Sequence, residues 1–314
     1  MIFKKPKFWD FKKPNFVSLI LLPFTLPIIL SNLILKFKSN QTNKKIKSIC
    51  VGNIYLGGTG KTPTTIKLYE ILKNLDLKVS TAKKFYTSQI DENIILKNKT
   101  KLITANDRKT ILQKAIESFQ DVVVFDDGLQ DKQLSYDIEF VCFDSNNLIG
   151  NGCLIPSGPL REKISSLKKY DGIFLKYENE TQVDQLNLFK KHNSKIKIFE
   201  TYFEIKNLDS LDKSENYLVF SGIGNSQSFK NILLKNGFII KDEIIFPDHH
   251  SYKKNEIDAI ILRAKSLKTK IVTTEKDYVK IKKLGFDNIS YAEVELKIKD
   301  EKELISFLKM KIYE

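Results

Sequence analysis

A chain of 314 residues, at about 150 residues per domain, has room for two domains. Hydrophobic residues make up 42% and charged residues 29%, which excludes a wholly disordered or collagen-like chain and allows a sizeable core. Lys and Arg total 52 against 38 Asp and Glu, a net charge of +14, and three cysteines without CxxC or Cys/His spacing exclude a disulfide scaffold and a structural zinc site. Cys50 and Cys142 sit in apolar runs, as small buried residues of a chain in a reducing compartment. Only Arg108, Arg161 and Arg263 are arginines, so most of the positive excess is lysine on solvated faces. No arginine-fork or aromatic nucleic-acid module is present, so nucleic acid is not an expected partner. An anionic lipid surface needs only the point charges that lysine supplies.

Residues 16–35 read FVSLILLPFTLPIILSNLIL, 20 residues without a charge, flanked by Lys4, Lys5, Lys7, Lys12 and Lys13 before and Lys36, Lys38, Lys44, Lys45 and Lys47 after. As one helix this run would match roughly 30 Å of hydrocarbon. It is longer than a signal-peptide apolar region, and no small-residue cleavage site follows. Pro23 and Pro27 interrupt it, and basic flanks on both sides favour a segment lying at the interface or re-entering it. Residues 1–45 are therefore expected to form a membrane-associating N-terminal helix and basic linker.

The next segments alternate in type. Strands are expected at 46–54, 78–82, 101–104, 121–125, 138–143 and 171–176, and helices at 63–73 and 109–119. That grammar predicts a doubly wound parallel α/β sheet over 46–205. A smaller α/β domain is expected over 206–314, with strands at 217–221 and 270–274 and helices at 226–236, 256–266 and 301–311.

The strongest local signal is a strand, then Tyr55-Leu56-Gly57-Gly58-Thr59-Gly60-Lys61-Thr62, then a helix. Glycines let backbone N–H groups approach phosphates, a lysine reaches the β/γ-phosphates, and a Thr hydroxyl ligates Mg²⁺. Tyr55 stands where the strict P-loop pattern has its first glycine, but the strand and helix context fits. Leu56 occupies the place of the second lysine found in partitioning ATPases, which argues against that class. Asp126-Asp127 ends an apolar strand, the usual place for a magnesium-handling acid beside a P-loop. Two of the three histidines are adjacent in Phe246-Pro247-Asp248-His249-His250, and an imidazole beside a carboxylate suits proton management.

At these residues the chain resembles the tetraacyldisaccharide 4′-kinase (lipid A 4′-kinase) family. The matching stretches are VGNIYLGGTGKTP (51–63), IDENIIL (90–96), DDGLQD (126–131), GNGCLIPSGPLRE (150–162), SGIGN (221–225), FPDHH (246–250) and TTEKDYVK (273–280), in the family's order across nearly the whole chain. The resemblance implies a P-loop NTPase-type fold and ATP-dependent phosphorylation of the 4′-hydroxyl of tetraacyldisaccharide 1-phosphate, a lipid A precursor. It also implies Mg²⁺ and a position at the cytoplasmic face of the inner membrane, with the apolar N-terminus touching the lipid surface. Carried over by motif, the loop 55–62 holds ATP, Lys61 and Thr62 hold ATP and Mg²⁺, Asp126 and Asp127 serve the metal, Asp91 accepts the hydroxyl proton and His249 tunes Asp91. Glu92, Arg108, Gln130, Arg161 and Glu162 surround the metal and phosphates. Candidate parts on both sides of the domain boundary lead to the expectation that the two α/β units close over the nucleotide.

Three departures stand out. The family's Ser-Arg-Gly-Tyr-Gly is here Ala82-Lys83-Lys84-Phe85-Tyr86, Asp131 replaces a histidine, and Asn93 replaces a proline. They make 82–91 the part in which acceptor contacts are most open to change. Two other classes fit parts of the sequence. A P-loop kinase or ligase with another small or membrane-borne substrate would not require the apolar segment. A non-catalytic basic binder of membrane or nucleic acid would show steep salt dependence and indifference to Lys61.

Overall fold

The computed structural model describes residues 5–36, 45–86, 89–131, 134–178 and 183–313. Most of the expected basic linker (37–44), Lys4 and residues 87–88 of the variable stretch lie outside them. The chain divides into two compact units. The larger comprises Lys5–Phe85, Lys99–Tyr202 and Ile298–Glu314, and the smaller takes Tyr86–Asn98 and Phe203–Lys297.

The apolar N-terminal run is not one helix. It forms α1 (Phe16–Leu21), a 3₁₀ turn (Leu22–Thr25) and α2 (Leu26–Lys36). Asn15 caps α1 by accepting from the Ser18 N–H at 2.9 Å, and Pro23 enters the 3₁₀ turn, where its missing donor cannot continue the α-helical ladder. Among the described residues no helix is long and apolar enough to cross a membrane, and the expected membrane-associating helix is two short helices joined by a 3₁₀ turn.

The main sheet contains β1 (Lys47–Gly52), β2 (Val79–Lys84), β3 (Leu102–Ala105), β4 (Val122–Asp126), β5 (Ile138–Asp144), β6 (Gly172–Lys176), β7 (Lys197–Ile205) and β12 (Val294–Ile298), in the order β12-β7-β6-β5-β1-β4-β2-β3. The pairs from β7 through β3 are parallel. Alternation along each strand sends neighbouring side chains to opposite faces. Cys50, Val123, Phe125, Val141 and Phe143 pack on one face with α5 (Arg108–Glu117) and α6 (Val183–His192) through Ile111, Ala115 and Phe189. Ile49, Val51, Val122, Val124 and Phe140 pack on the other with α3 (Lys61–Lys73) and α10 (Glu301–Tyr313) through Leu68, Leu72, Leu304, Phe307 and Leu308. Both faces are covered, which explains the unbroken apolar strands. The order reverses at β1, between β5 and β4, and that switch point is where an open α/β sheet presents its binding crevice.

The smaller unit holds a four-stranded parallel sheet, β11-β10-β8-β9, built from β8 (Asn216–Ser221), β9 (Ile239–Ile245), β10 (Lys270–Thr274) and β11 (Ser290–Ala292). Helix α7 (Ser226–Lys235) covers one face, and α8 (Lys254–Ser266) and α9 (Glu275–Lys282) cover the other. Helix α4 (Ile90–Lys99) lies within this unit over most of its length.

The units are thus not contiguous in sequence, unlike the expected spans 46–205 and 206–314. The smaller unit borrows residues 86–98, and α10 returns to the larger one. The return has an apolar cause: the Phe307 ring sits 5.9 Å from Phe140 and 5.7 Å from Phe199, centroid to centroid. Phe307→Ala is expected to destabilise the protein by about 3–5 kcal/mol, read as a lower denaturant midpoint.

Candidate functional site

In the larger unit the site grows from the carboxyl ends of β1, β4 and β2. Gly52 ends β1 where a Cβ would stand 2.5 Å from Leu129 Cγ, so only glycine lets the chain turn out of the sheet there. The loop closes on Gly60, whose φ of 84° is left-handed, and α3 begins at the next residue. Asn53, fully buried, donates through Nδ2 to Gly57 O at 3.2 Å and Thr59 Oγ1 at 3.0 Å, holding the loop from inside. Thr64 N–H donates to Gly60 O at 3.0 Å.

Tyr55 and Leu56 are employed structurally. Tyr55 donates its hydroxyl to Asp10 Oδ1 at 2.9 Å and is nearly buried against Leu154 and Leu160. Burial, and then the Asp10 carboxylate, push the phenol well above its usual range. Leu56 N–H donates to Pro159 O at 2.8 Å, and Arg161 N–H to Ile54 O at 2.7 Å, so the PSGPLRE stretch zips onto the loop.

Thr62 Oγ1 donates to Asp126 Oδ2 at 2.9 Å, and Lys83 Nζ reaches the same oxygen at 2.7 Å. Lys83 and Asp126 are both buried, neighbours across the parallel β2–β4 pair. Asp126 Oδ1 is also buried and, among the described residues, accepts no hydrogen bond. A carboxylate oxygen left without a donor, beside a Thr hydroxyl at a P-loop, fits Mg²⁺, which takes one or two protein oxygens and fills its shell with phosphate and water. Among the described residues no cluster of three or more His, Cys, Asp or Glu could hold a metal by itself.

Asp127, at φ 60°, turns away from the strand and lies 3.9 Å from Lys61 Nζ and 3.6 Å from Arg161 Nη1. Arg108 pairs with Asp131 and donates to the Asp127 carbonyl, pinning that turn. Gln130 donates to Asn53 O at 2.9 Å and to Glu162 Oε1 at 3.1 Å. Burial would raise the Glu162 carboxyl, but Lys169, with hydrogen bonds from Gln130 and Tyr170, holds it below its usual range. Gln130 and Glu162 therefore brace the exit of β1.

In the smaller unit, α4 carries Asp91 and Glu92 in its first turn, where the helix dipole favours carboxylates. The loop after β9 carries Asp248 and His249, with His249 at φ 58°. His249 Nδ1 lies 3.1 and 3.2 Å from the two oxygens of buried Asp91, joining residues 158 apart in sequence. Burial would raise the Asp91 carboxyl, but the His249 hydrogen bond, Lys276 and Lys280 together hold it below the ordinary carboxylate range.

A model of the family described as tetraacyldisaccharide-1-P 4′-kinase matches residues 18–313. The chain belongs to that family. It is 46% identical over 310 residues to the tetraacyldisaccharide 4′-kinase of Pelagibacter ubique, covering 98% of each chain. It is 32% identical to the same-named enzyme of Rickettsia akari, covering 93% of each. Its fold is similar to the crystal structure of LpxK from Aquifex aeolicus in complex with ATP, with a TM-score of 0.70, 22% identity, and coverage of 95% of this chain and 100% of that one.

The departures from the tetraacyldisaccharide 4′-kinase pattern acquire physical meaning in place. Lys83, standing at the family's arginine, supplies the buried cation for Asp126. Asp131, at the family's histidine, receives Arg108. Asn93 stands in the first turn of α4, where proline is tolerated better than in a helix interior. The structure brings the expected Lys61, Thr62, Asp126, Asp127, Gln130, Arg108, Arg161 and Glu162 together in the larger unit, and Asp91, Glu92 and His249 in the smaller. Sequence reasoning did not single out Asn53, Lys83, Lys276 or Lys280. All but Lys83 lie inside the matched stretches, which was the available signal.

Removing one partner of a buried ion pair strands the other charge. Lys83→Met is therefore expected to cost about 3–5 kcal/mol in denaturant unfolding, and Lys83→Arg much less.

Proposed function

We propose that the chain transfers the γ-phosphate of ATP to the 4′-hydroxyl of tetraacyldisaccharide 1-phosphate, producing lipid IVA for lipopolysaccharide. The observation that carries this reading is the contact of Asp91 with His249 at 3.1 Å in a member of this kinase family that also holds a P-loop. A sugar hydroxyl is a poor nucleophile. A carboxylate kept ionised can accept its proton, and an imidazole bonded to that carboxylate fixes its orientation and takes up part of the developing charge. Glycine-loop N–H groups and Lys61 orient the triphosphate, and Arg161 adds positive charge beside Asp127. Thr62 and Asp126 would hold Mg²⁺, which when bound offsets charge on the phosphoryl oxygens.

The proposal extends to the membrane. Over residues 16–26 the N-terminal segment is inverted relative to a soluble helix pair, with polar residues inside and apolar ones outside. Ser18 and Thr25 are buried, and Ser157 Oγ donates to Ser18 O at 2.6 Å. Phe16 is 76% and Phe24 64% exposed, beside exposed Leu19, Ile20, Leu26 and Leu30. An apolar patch of this kind near Lys7, Lys12 and Lys13 suits the interface of an anionic leaflet, here the cytoplasmic face of the inner membrane.

Labelled γ-phosphate is expected to move from ATP to the tetraacyldisaccharide 1-phosphate in mixed micelles with Mg²⁺. Lys61→Ala should abolish both transfer and tight ATP binding. Asp91→Ala and His249→Ala should lower kcat by about 100-fold or more with little change in ATP affinity. Wild-type turnover in Asp91→Ala would refute the proton-acceptor role. In a separate sedimentation assay with phosphatidylglycerol-containing vesicles, Phe16→Asp/Phe24→Asp should bind at least about tenfold more weakly, since each buried aromatic contributes about 1.5–3 kcal/mol.

A further inference from the structure

Helix α9 begins in the TTEKDYVK stretch and is held in a defined place. Thr274 caps it, with Asp277 N–H donating to Thr274 Oγ1 at 3.1 Å. The fully buried Asp277 accepts from Thr274 Oγ1 at 2.7 Å and from Gly222 N–H, in the SGIGN loop, at 2.8 Å. One turn apart on this anchored helix stand two lysines. Lys280 Nζ lies 2.9 Å from Asp277 Oδ1 and 3.5 Å from Asp91 Oδ2. Lys276 Nζ lies 3.2 Å from Glu92 Oε1, 3.3 Å from Asp248 Oδ1 and 3.8 Å from Asp91 Oδ2. Three carboxylates from two separate segments, α4 and the FPDHH loop, thus converge on one ammonium.

That convergence needs an explanation. Glu92 and Asp248 also approach His249 Nε2, at 3.8 and 3.9 Å, while its Nδ1 faces Asp91. Like charges this close repel strongly in a partly desolvated place, and repulsion alone would move α4 away from the loop or drive a proton onto the cluster. His250, the next ring, is turned to Glu256 and stacked on Phe246, so it does not offset these charges. Lys280 is shared with Asp277. Lys276 is the cation placed against all three acids, and only 18% of its side chain is exposed.

We propose that Lys276 is a positioning residue of the transfer reaction, whose ammonium ties α4 to the FPDHH loop and so holds Asp91 at bonding distance from His249. The proposal rests on the reading of Asp91 and His249 given above. A lysine suits the task because its compact ammonium donates to Glu92 and Asp248 and still stands within ion-pair distance of Asp91, where a planar guanidinium would favour one carboxylate. The Asp91 carboxylate is kept ionised partly by this charge, so losing it raises the carboxyl's pKa and moves the acid limb of the pH–rate profile upward.

The test uses the full chain carrying Lys276→Met, Lys276→Gln or Lys276→Arg. Expected for Met and Gln is a fall in kcat of about 10- to 100-fold with the KM for ATP nearly unchanged, as for displaced reacting groups. The acid limb should rise by about one pH unit, and amide hydrogen exchange should quicken across α4 and residues 246–250. Lys276→Arg should restore the acid limb and part of kcat. Wild-type kcat, an unmoved acid limb, or unchanged exchange of α4 in the Met and Gln variants would each overturn the assignment. Gln retains a polar head and covers the case in which Met unfolds the unit. Exchange is read without substrate, so it tests the tie even in a preparation that transfers no phosphate. Wild-type transfer in the same preparation separately tests the reading of function.

Discussion

A parallel sheet covered on both faces has nowhere to put charge except at the ends of its strands. This constraint shapes the larger unit. Helices α3 and α10 seal one face and α5 and α6 the other, so Ile49–Val51 of β1, Val122–Phe125 of β4 and Phe140–Phe143 of β5 are apolar runs. Polarity appears where each strand emerges: Asn53 after β1, Asp126 at the end of β4, Lys83 near the end of β2. Register then decides the rest. Because Ala82 pairs with Phe125, the next residues along, Lys83 and Asp126, meet below the P-loop, and Thr62 at the start of α3 completes the set.

The acids of the two units are handled differently. Asp126 meets a buried lysine and a hydroxyl, and among the described residues one of its carboxylate oxygens receives no donor. A group in that state is costly in an apolar interior and is retained where a cation is to be received. Asp91 and its neighbours form a crowd of like charge that only cations can keep together. There the protein spends two lysines on one face of a short helix whose own start is anchored by buried Asp277. Both arrangements rely on lysine, in keeping with a composition that has only three arginines. Those it keeps at the site are Arg108, whose fork of donors pins the turn at Asp127, and Arg161, beside the Asp127 carboxylate.

The N-terminal segment shows the limit of reading hydropathy alone. Its 20 uncharged residues have the length of a membrane span, yet the 3₁₀ turn at Leu22–Thr25, with Pro23, divides it into short pieces. What the linear pattern cannot show is which side faces outward. Ser18 is turned to the protein because the GNGCLIPSGPLRE stretch offers it Asn151 and Ser157 as partners, and buried Thr25 donates back to Leu22 O. The phenylalanines and leucines are left outside as a consequence.

Much was legible in the residues themselves. The strand–glycine–helix grammar located the P-loop because glycine backbone freedom and apolar periodicity are local properties, and the motif blocks carried the family and the candidate acids. Strands β7, β9, β11 and β12 and helices α4, α6 and α9 escaped because their apolar patterns are short or half-exposed, as the alternating burial of β7 shows. The domain boundaries escaped for another reason. Segment 86–98 and helix α10 each join a unit remote in sequence, and only packing partners such as Phe140 for Phe307, or Lys276 for Glu92, reveal where they belong. The sequence by itself therefore determined the chemistry available: which groups can bind phosphate, take a proton or carry charge. The tertiary structure decided which of them act on one another, because contact across 158 residues, as between Asp91 and His249, depends on the register and packing of the whole chain and leaves no local trace.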